Sequence, residues 1–303
     1  MPWRVHLSNR ALHRLDILKA PKSSLLAAWS QPDRVTYFDL ESGAAMGEQD
    51  LKIIDSDVRH HGQWQALMPQ LVAPNGAYPP VLASDSWTIY TTRNGQRRFY
   101  YSGDEAYLVT GTDESKLEIE SIAAVSLDRA SGLLALLDAT GQLCLYEPGK
   151  SSHQFDIGLS SKPDVRSRLA VMGGGQAIVV ACDHLLVKVD RQGSLLKRVE
   201  LPYSIGRFAS SPDGQMLACG DRDANVICIY EGERFQPMFQ RHAIDLMASA
   251  TQLQLIADLP PSRVAMNSLV IDNVGNLAFA LAGVICVTAV AQMRTLPRPQ
   301  KLV

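Results

Sequence analysis

The chain has 303 residues, of which 46% are hydrophobic and 20% are charged. This composition is ordinary for a globular protein and excludes a wholly disordered chain. The formal net charge is -2, so no overall positive field draws the protein to nucleic acid or to anionic lipid, and a nucleic-acid role is not expected.

The start of the chain does not resemble an export signal. Trp3, Arg4 and His6 interrupt the apolar run that a secretory signal needs. We therefore expect a cytoplasmic protein. The segment Trp3 to Leu7 is expected to form a strand that pairs beside Val284 to Val290.

The next segments alternate apolar strands with turns. Ser24 to Ser30 and Arg34 to Asp39 predict two strands, and Glu41-Ser42-Gly43 predicts a turn. Asp55 to His61 then gathers two carboxylates and two imidazoles, which are possible metal ligands. Adjacent histidines of an extended chain point to opposite sides, so a solvated loop is favoured over a metal site.

A fainter unit follows. Gln63 to Val72 has helix-compatible composition and predicts a short insertion on the rim. Pro80 to Ala83 and Trp87 to Tyr90 predict strands, and Asn94-Gly95 predicts a hairpin turn.

The middle of the chain repeats one plan three times. Each copy has a short apolar strand, a turn, and a second strand that ends in Tyr or Val followed by an acid. The copies are Gly132 to Glu147, Ala177 to Asp190 and Ser211 to Glu231. Tyr146, Val189 and Tyr230 lie about 43 and 41 residues apart, within the period of propeller blades.

Two glycine-containing segments in this half predict turns. Gly173-Gly174-Gly175 follows an apolar run but lacks the Gly-Lys-Ser/Thr ending of a phosphate-binding loop, so a turn between strands is favoured. Leu277 to Val290 is too short to span a membrane and predicts two strands around Ala282-Gly283. His242 to Asp258 has helix-compatible composition and predicts a second rim insertion, although this segment could equally form a strand.

The five cysteines have no metal-binding or disulfide spacing. Each lies in an apolar strand-like run, where a free thiol behaves as a small buried hydrophobe, as suits a reducing compartment. The cysteines are Cys144, Cys182, Cys219, Cys228 and Cys286.

Together these segments predict an all-β fold. Short apolar strands cannot bury both faces alone, but four-stranded sheets stacked around an axis can, and the few residues between strands leave no room for crossover helices. We expect one closed β-propeller over residues 1–303, with six or seven four-stranded blades and short rim insertions. Equivalent points at Phe38, Tyr90, Tyr146, Val189, Tyr230 and Thr288 give six units.

One segment carries a family resemblance. Ser211 to Glu231 resembles a WD-repeat blade, which has Ser-Pro-Asp-Gly, a Leu-Ala-x-Gly strand, an acidic turn and a final Trp-Asp in that order. Here Tyr230-Glu231 stands in place of Trp-Asp, and no Gly-His dipeptide opens the blade. The resemblance implies a propeller that binds proteins, in which the hydrogen-bond network that links the family's blades is absent or altered.

Candidate partner-binding residues cluster in the irregular units. Aromatic and Arg side chains are the types that anchor protein interfaces. Core packing, ordinary surface and nucleic-acid contacts are alternative roles for the same side chains. The residues are Trp64, Trp87, Arg97, Arg98, Tyr100 and Tyr101.

Two functions follow from this pattern. The favoured one is a non-enzymatic scaffold or complex subunit that binds one or more proteins and needs no cofactor, since no Gly-x-Ser-x-Gly elbow or other catalytic motif occurs. The alternative is a propeller hydrolase or lactonase-like enzyme with a metal or acid/base site in its channel. A weaker reading, from Val35 to Gly43, is a quinone-cofactor propeller, although such proteins are usually exported.

Overall fold

The computed structural model describes residues 3–6, 12, 14–21, 23–31, 34–50, 68–79, 81–83, 88–102, 105–119, 121–164, 167–246 and 266–293. These residues form six antiparallel sheets, each of which is one blade of a propeller. The predicted all-β propeller is therefore confirmed, and the blade number is six.

Blades 1 to 3 come from the first half of the chain, after the N-terminal strand β1 (Trp3–His6). Blade 1 contains β2 (Arg14–Lys19), β3 (Ser24–Gln31), β4 (Arg34–Asp39) and β5 (Ala45–Asp50). Blade 2 contains β6 (Val81–Ala83), β7 (Thr88–Thr91), β8 (Arg97–Ser102), β9 (Glu105–Thr110) and β10 (Asp113–Lys116). Blade 3 contains β11 (Ile122–Leu127), β12 (Leu134–Asp138), β13 (Gln142–Tyr146) and β14 (His153–Asp156).

Blades 4 to 6 complete the ring. Blade 4 contains β15 (Arg168–Met172), β16 (Ala177–Cys182), β17 (Leu185–Asp190) and β18 (Leu195–Glu200). Blade 5 contains β19 (Ile205–Ser210), β20 (Met216–Asp221), β21 (Val226–Glu231) and β22 (Pro237–His242). Blade 6 contains β23 (Met266–Ile271), β24 (Asn276–Leu281), β25 (Val284–Ala289) and β1. The described helical segments are Met68–Leu71 and Ile244–Leu246, both 3-10, and one α-helical turn, α1 (Val290–Met293).

The two ends of the chain share blade 6. β1 pairs antiparallel with β25, with Trp3 opposite Val287 and Val5 opposite Ile285. Trp3 also reaches blade 1, where its indole Nε1 donates to the carbonyl of Leu40 at 2.7 Å. Because the N-terminal strand covers the outer edge of the last blade, no separate latch is needed to close the ring.

The hydrophobic core is divided into six layers, one between each pair of neighbouring blades. The layer between blades 6 and 1 contains Ala278, Ile285, Leu15 and Leu26, so the last blade packs on the first. Each sheet is thus covered on both faces by its neighbours, as the short apolar strands require.

Blade 2 departs from the predicted four strands. Its order is β10-β9-β8-β7-β6, and the extra strand β6 lies on the channel side of β7. The equivalence assigned to Tyr90 was therefore wrong: Tyr90 lies in the innermost full strand of its blade, whereas Tyr146 and Tyr230 lie in third strands. Val109, which pairs opposite Arg98 as Tyr230 pairs opposite Leu217, occupies the equivalent place.

The acid after the strands has a structural role. Asp138 Oδ1 accepts hydrogen bonds from the backbone N–H of Thr140 at 2.8 Å and of Gln142 at 2.9 Å. Asp190 and Asp272 accept equivalent pairs of bonds in their own turns. Carboxylates at the end of a strand fix the tight turn that follows it. Of these three, only Asp190 stands where the acid of a Trp-Asp ending would be, because Asp138 ends the second strand of blade 3 and Asp272 follows the first strand of blade 6.

The remaining local predictions are largely confirmed. Gly173-Gly174-Gly175 forms the turn between β15 and β16, and Leu277–Val290 forms the hairpin β24–β25 followed by the first residue of α1. All five cysteines are free and lie in strands. The segment Asp55 to His61 and most of the insertion His242 to Asp258 lie outside the described residues.

Candidate functional site

The central channel is an opening formed by several blades. It encloses about 550 Å³ and is lined by the inner strands of all six blades. Its charged and phenolic lining residues are Arg14, Asp16, Tyr90, Tyr101, Arg168 and Arg207. Three of these are guanidinium groups and one is a carboxylate, and Asp164 adds a second carboxylate near Arg168.

On the side of blade 1, the positive charge is already paired. Arg14 Nε and Nη2 donate to the two oxygens of Asp16 at 2.7 and 2.9 Å, and Trp29 Nε1 donates to the same carboxylate at 3.2 Å. Burial acts to lower the pKa of Arg14, but Asp16 and the Tyr90 hydroxyl raise it above the ordinary value. This pair is a fixed structural element of the wall.

On the other side of the channel, Arg168 and Arg207 lie at the same level. Arg168 stands opposite Ala181 and Arg207 opposite Gly220, which are equivalent positions in blades 4 and 5. Burial, followed by the positive charge of Arg168, lowers the pKa of Arg207, and burial likewise lowers the pKa of Arg168. The positive charge of Arg168 therefore acts on Arg207 in a partly desolvated space.

Backbone carbonyl groups hold these two guanidinium groups in place. Arg207 Nε donates to the carbonyl of Asn267 in blade 6 at 2.8 Å, and its Nη1 donates to the carbonyl of Gly206 at 2.7 Å. Arg168 Nη1 donates to the carbonyl of Ser167 at 2.8 Å. The carboxylate of Asp164 adds a favourable charge to Arg168.

Serine side chains connect neighbouring inner strands. Ser126 Oγ in blade 3 accepts a hydrogen bond from Val171 N–H in blade 4 at 3.0 Å, and Ser268 Oγ in blade 6 accepts one from Leu15 N–H in blade 1 at 2.8 Å. The second bond crosses the point where the ring closes. These bonds hold the channel wall rigid, because each joins a side chain of one blade to the backbone of the next.

The residues predicted to contact a partner are mostly interior in blade 2. Arg97, Arg98 and Tyr100 are 5%, 1% and 1% exposed. Tyr101 is half-buried and lines the channel, where its ring stacks near that of Tyr90 at 6.5 Å between centroids. Trp64 and Trp87 lie outside the described residues.

The burial of the two arginines follows from their place in the repeat. Arg98 pairs with Thr91 where Leu217 pairs with Ser210, so an arginine occupies a core leucine position. Burial lowers the pKa of Arg98 to about 10 although Tyr100 and Glu114 act to raise it. The neighbouring Arg97 reaches blade 3, where its Nη2 donates to the carbonyl of Tyr146 at 2.9 Å.

The channel arrangement defines which chemistry the wall can support. Within the described parts of the chain, no three His, Cys, Asp or Glu side chains group together as metal ligands. The wall instead offers fixed guanidinium donors and phenolic hydroxyl groups, which bind oxygen-rich anions. Sequence reasoning missed Arg14, Arg168 and Arg207. A common spacing identifies two of them as equivalent, because Arg168 lies seven residues before Gly175 and Arg207 lies seven residues before Gly214. Each of these glycines is the last glycine of a turn.

Comparisons with known proteins support the same architecture. No protein-family model and no curated protein sequence matches the chain. Its structure is similar to the Cps50 (Swd1) β-propeller domain of Myceliophteria thermophila, with a TM-score of 0.60, 12% identity, and coverage of 94% of this chain and 99% of that domain. It is also similar to Raptor of Chaetomium thermophilum, with a TM-score of 0.56 and 11% identity over 93% of this chain.

These similarities concern the fold. The fold is a six-bladed, WD-repeat-like β-propeller, as the resemblance of Ser211 to Glu231 implied. The chain corresponds to only 24% of the length of the Raptor chain. At this level of identity the likeness concerns the fold, and function has to be argued from the surface and the channel. Among the described residues, no helix has the length and apolarity needed to cross a lipid bilayer.

Proposed function

We propose that this protein is a non-enzymatic scaffold or complex subunit that binds one or more other proteins. The observation that supports this most strongly is the closed ring, in which six core layers and the shared blade 6 produce a stiff frame that displays its loops and outer strands. A rigid frame of this kind positions binding surfaces without contributing chemistry of its own.

The outer edge of the ring supplies a candidate contact surface. Leu195 and Leu196 follow each other on β18, the outermost strand of blade 4, and are 58% and 52% exposed. Met238 on the outer strand of blade 5 is also exposed. Exposed apolar side chains on an edge strand are typical of surfaces that a protein partner covers.

We also propose that a partner contacts the residues predicted from the sequence, which are Trp64, Trp87, Arg97, Arg98, Tyr100 and Tyr101. Burial means that a partner reaches Arg97, Arg98 and Tyr100 only if blade 2 opens, whereas Tyr101 is accessible from the channel. The hydrolase alternative has no supporting observation among the described residues, because the one carboxylate of the channel wall is bonded to Arg14 and Trp29.

We also propose that residues 1–303 form one domain and that the protein acts in the cytoplasm. The pairing of β1 with β25 supports the first, since both ends of the described chain enter one sheet. The five free thiols support the second, because a reducing compartment preserves them.

Purification of the native assembly tests the scaffold proposal. The full chain, tagged and expressed at its native level, should elute with other proteins in fixed ratio. Recovery of the chain alone under gentle conditions would contradict the proposal. The double variant Leu195→Ser/Leu196→Ser should lose partner protein, whereas Met46→Ser, at an exposed apolar position on β5, should retain it. Equal recovery with both variants would place the contact elsewhere on the ring.

A further inference from the structure

We infer that the central channel is a binding site for a phosphate-class anion, held between Arg168 of blade 4 and Arg207 of blade 5. The site is independent of the protein partner proposed above, because it depends on the inner wall of the ring. Its ligand is inorganic phosphate or the phosphoryl group of a small molecule.

The position of the two arginines is the first argument. Both side chains line the channel, and they occupy equivalent registers on the inner strands of adjacent blades. Two guanidinium groups on one wall present several N–H donors to a single tetrahedral oxyanion.

The charge balance of the wall is the second argument. Asp16, the carboxylate of the wall, is engaged by Arg14 and Trp29 on the side of blade 1. Arg207 donates two hydrogen bonds, both to neutral carbonyl oxygens, and has no ion pair with any described carboxylate. A dianion between Arg168 and Arg207 pairs the charge of Arg207, which has no ion pair with the described carboxylates, and offsets the positive charge that Arg168 exerts on it.

The rigidity of the wall is the third argument. Carbonyl groups of Asn267, Gly206 and Ser167 already hold the guanidinium groups, so little side-chain freedom is lost when an anion binds. The space of about 550 Å³ exceeds what a phosphate ion needs and leaves room for a small organic group attached to it.

Titration calorimetry on the full chain at low ionic strength tests the proposal, with inorganic phosphate, pyrophosphate and glycerol phosphate as probes. We expect saturable binding of inorganic phosphate that weakens as sodium chloride is added. Binding of phosphate but not of glycerol phosphate identifies the free ion as the ligand, and binding of both identifies the phosphoryl group of a larger molecule. Both results support the site.

Variants place the binding in the channel. Arg207→Gln should weaken phosphate binding by about tenfold or more, because a hydrogen bond to a charged group is lost. Arg207→Lys keeps the charge and should bind more tightly than Arg207→Gln. The control Arg198→Gln removes an exposed arginine from the outer strand β18 and should leave binding within about twofold.

Thermal unfolding separates loss of the site from loss of the fold. Phosphate should raise the Tm of the parent protein and of Arg198→Gln but not that of Arg207→Gln, which should still unfold in one cooperative transition. The inference is overturned if none of the three probes binds at millimolar concentration, or if Arg207→Gln, folded, binds phosphate as tightly as the parent.

Discussion

Blades 5 and 2 have the same turn, but the strands that follow it bury different side chains. In blade 5, the backbone N–H of Ser211 donates to the carbonyl of Met216 at 2.9 Å, and in blade 2 Thr92 donates to Arg97 at 3.0 Å. The strands that follow bury leucine and cysteine in blade 5 but arginine and tyrosine in blade 2. The two blades therefore share the hydrogen bonds of the turn although their buried side chains differ.

The difference extends to the layers between blades. Among the described residues, the layer between blades 4 and 5 has thirteen buried apolar side chains, whereas the layer between blades 2 and 3 has four, surrounded by half-buried aliphatic and aromatic side chains. Polar contacts accompany the apolar ones on both faces of blade 2. Arg97 bonds to blade 3, and Tyr100, which packs in the layer between blades 1 and 2, bonds to Glu114 of its own sheet. A propeller ring thus tolerates a polar blade when its neighbours remain apolar.

The largest effect is expected in the apolar layer of blade 5. Leu217 is fully buried, so Leu217→Ala should lower the free energy of unfolding by about 2 to 5 kcal/mol through lost transfer energy and a residual cavity. Urea unfolding followed by circular dichroism measures it. The matched change at an exposed leucine, Leu195→Ala, should cost less than about 0.5 kcal/mol. Equal costs at both positions would contradict the assigned core.

Substitutions in the turn that blades 5 and 2 share should lower the free energy of unfolding by similar amounts, which are smaller than the cost of Leu217→Ala. Ser211 Oγ accepts from Met216 N–H at 3.0 Å, and Thr92 Oγ1 accepts from Arg97 N–H at 3.1 Å. Ser211→Ala and Thr92→Val should each cost about 1 to 3 kcal/mol, because each leaves a buried N–H without that acceptor. Urea unfolding of both variants checks this. A cost confined to one blade would show that the turns are not equivalent.

The smallest change in the free energy of unfolding is expected for substitution of Arg98, the buried arginine of blade 2. Arg98→Leu introduces the leucine that blades 3, 5 and 6 have at this position, and it removes a charge whose burial lowers the pKa of Arg98. We expect a gain of about 1 kcal/mol in the free energy of unfolding. Arg98→Ala, which removes the charge and also the volume, should be less stable than Arg98→Leu. A loss of more than about 1 kcal/mol with Arg98→Leu would show that the arginine stabilises the blade.

Blades 3 to 5 were predictable because their second and third strands are apolar and end in a residue that fixes a turn. The spacing of Tyr146, Val189 and Tyr230 carries that information. The sequence pattern places blade 2 in the wrong register because Trp87 to Tyr90 resembles the third strand of a blade. The core strand of blade 2 is instead β8, which contains Arg97 and Arg98. Arginine in a core position gives no apolar signal, so the pattern of hydrophobic residues fails there.

The channel was not predictable from local patterns. Its residues come from the inner strands of different blades, and these strands are only partly apolar because one side faces the open space. Arg14, Arg168 and Arg207 are far apart in the sequence and converge only when the ring closes. Once the repeat is aligned on its turns, the equivalence of Arg168 and Arg207 becomes visible.

A disulfide across blade 6 tests whether the ring closes through that blade. The register places position 4 opposite Cys286 and position 5 opposite Ile285. Arg4→Cys should therefore form a disulfide with Cys286 on mild oxidation, and the chain should stay in one piece on a non-reducing gel after a single protease cut in a loop. Val5→Cys, whose side chain leaves the opposite face of the strand, should not. If Arg4→Cys joins Cys286 no better than Val5→Cys does, the two ends do not share a sheet in this register, and the closed ring is contradicted.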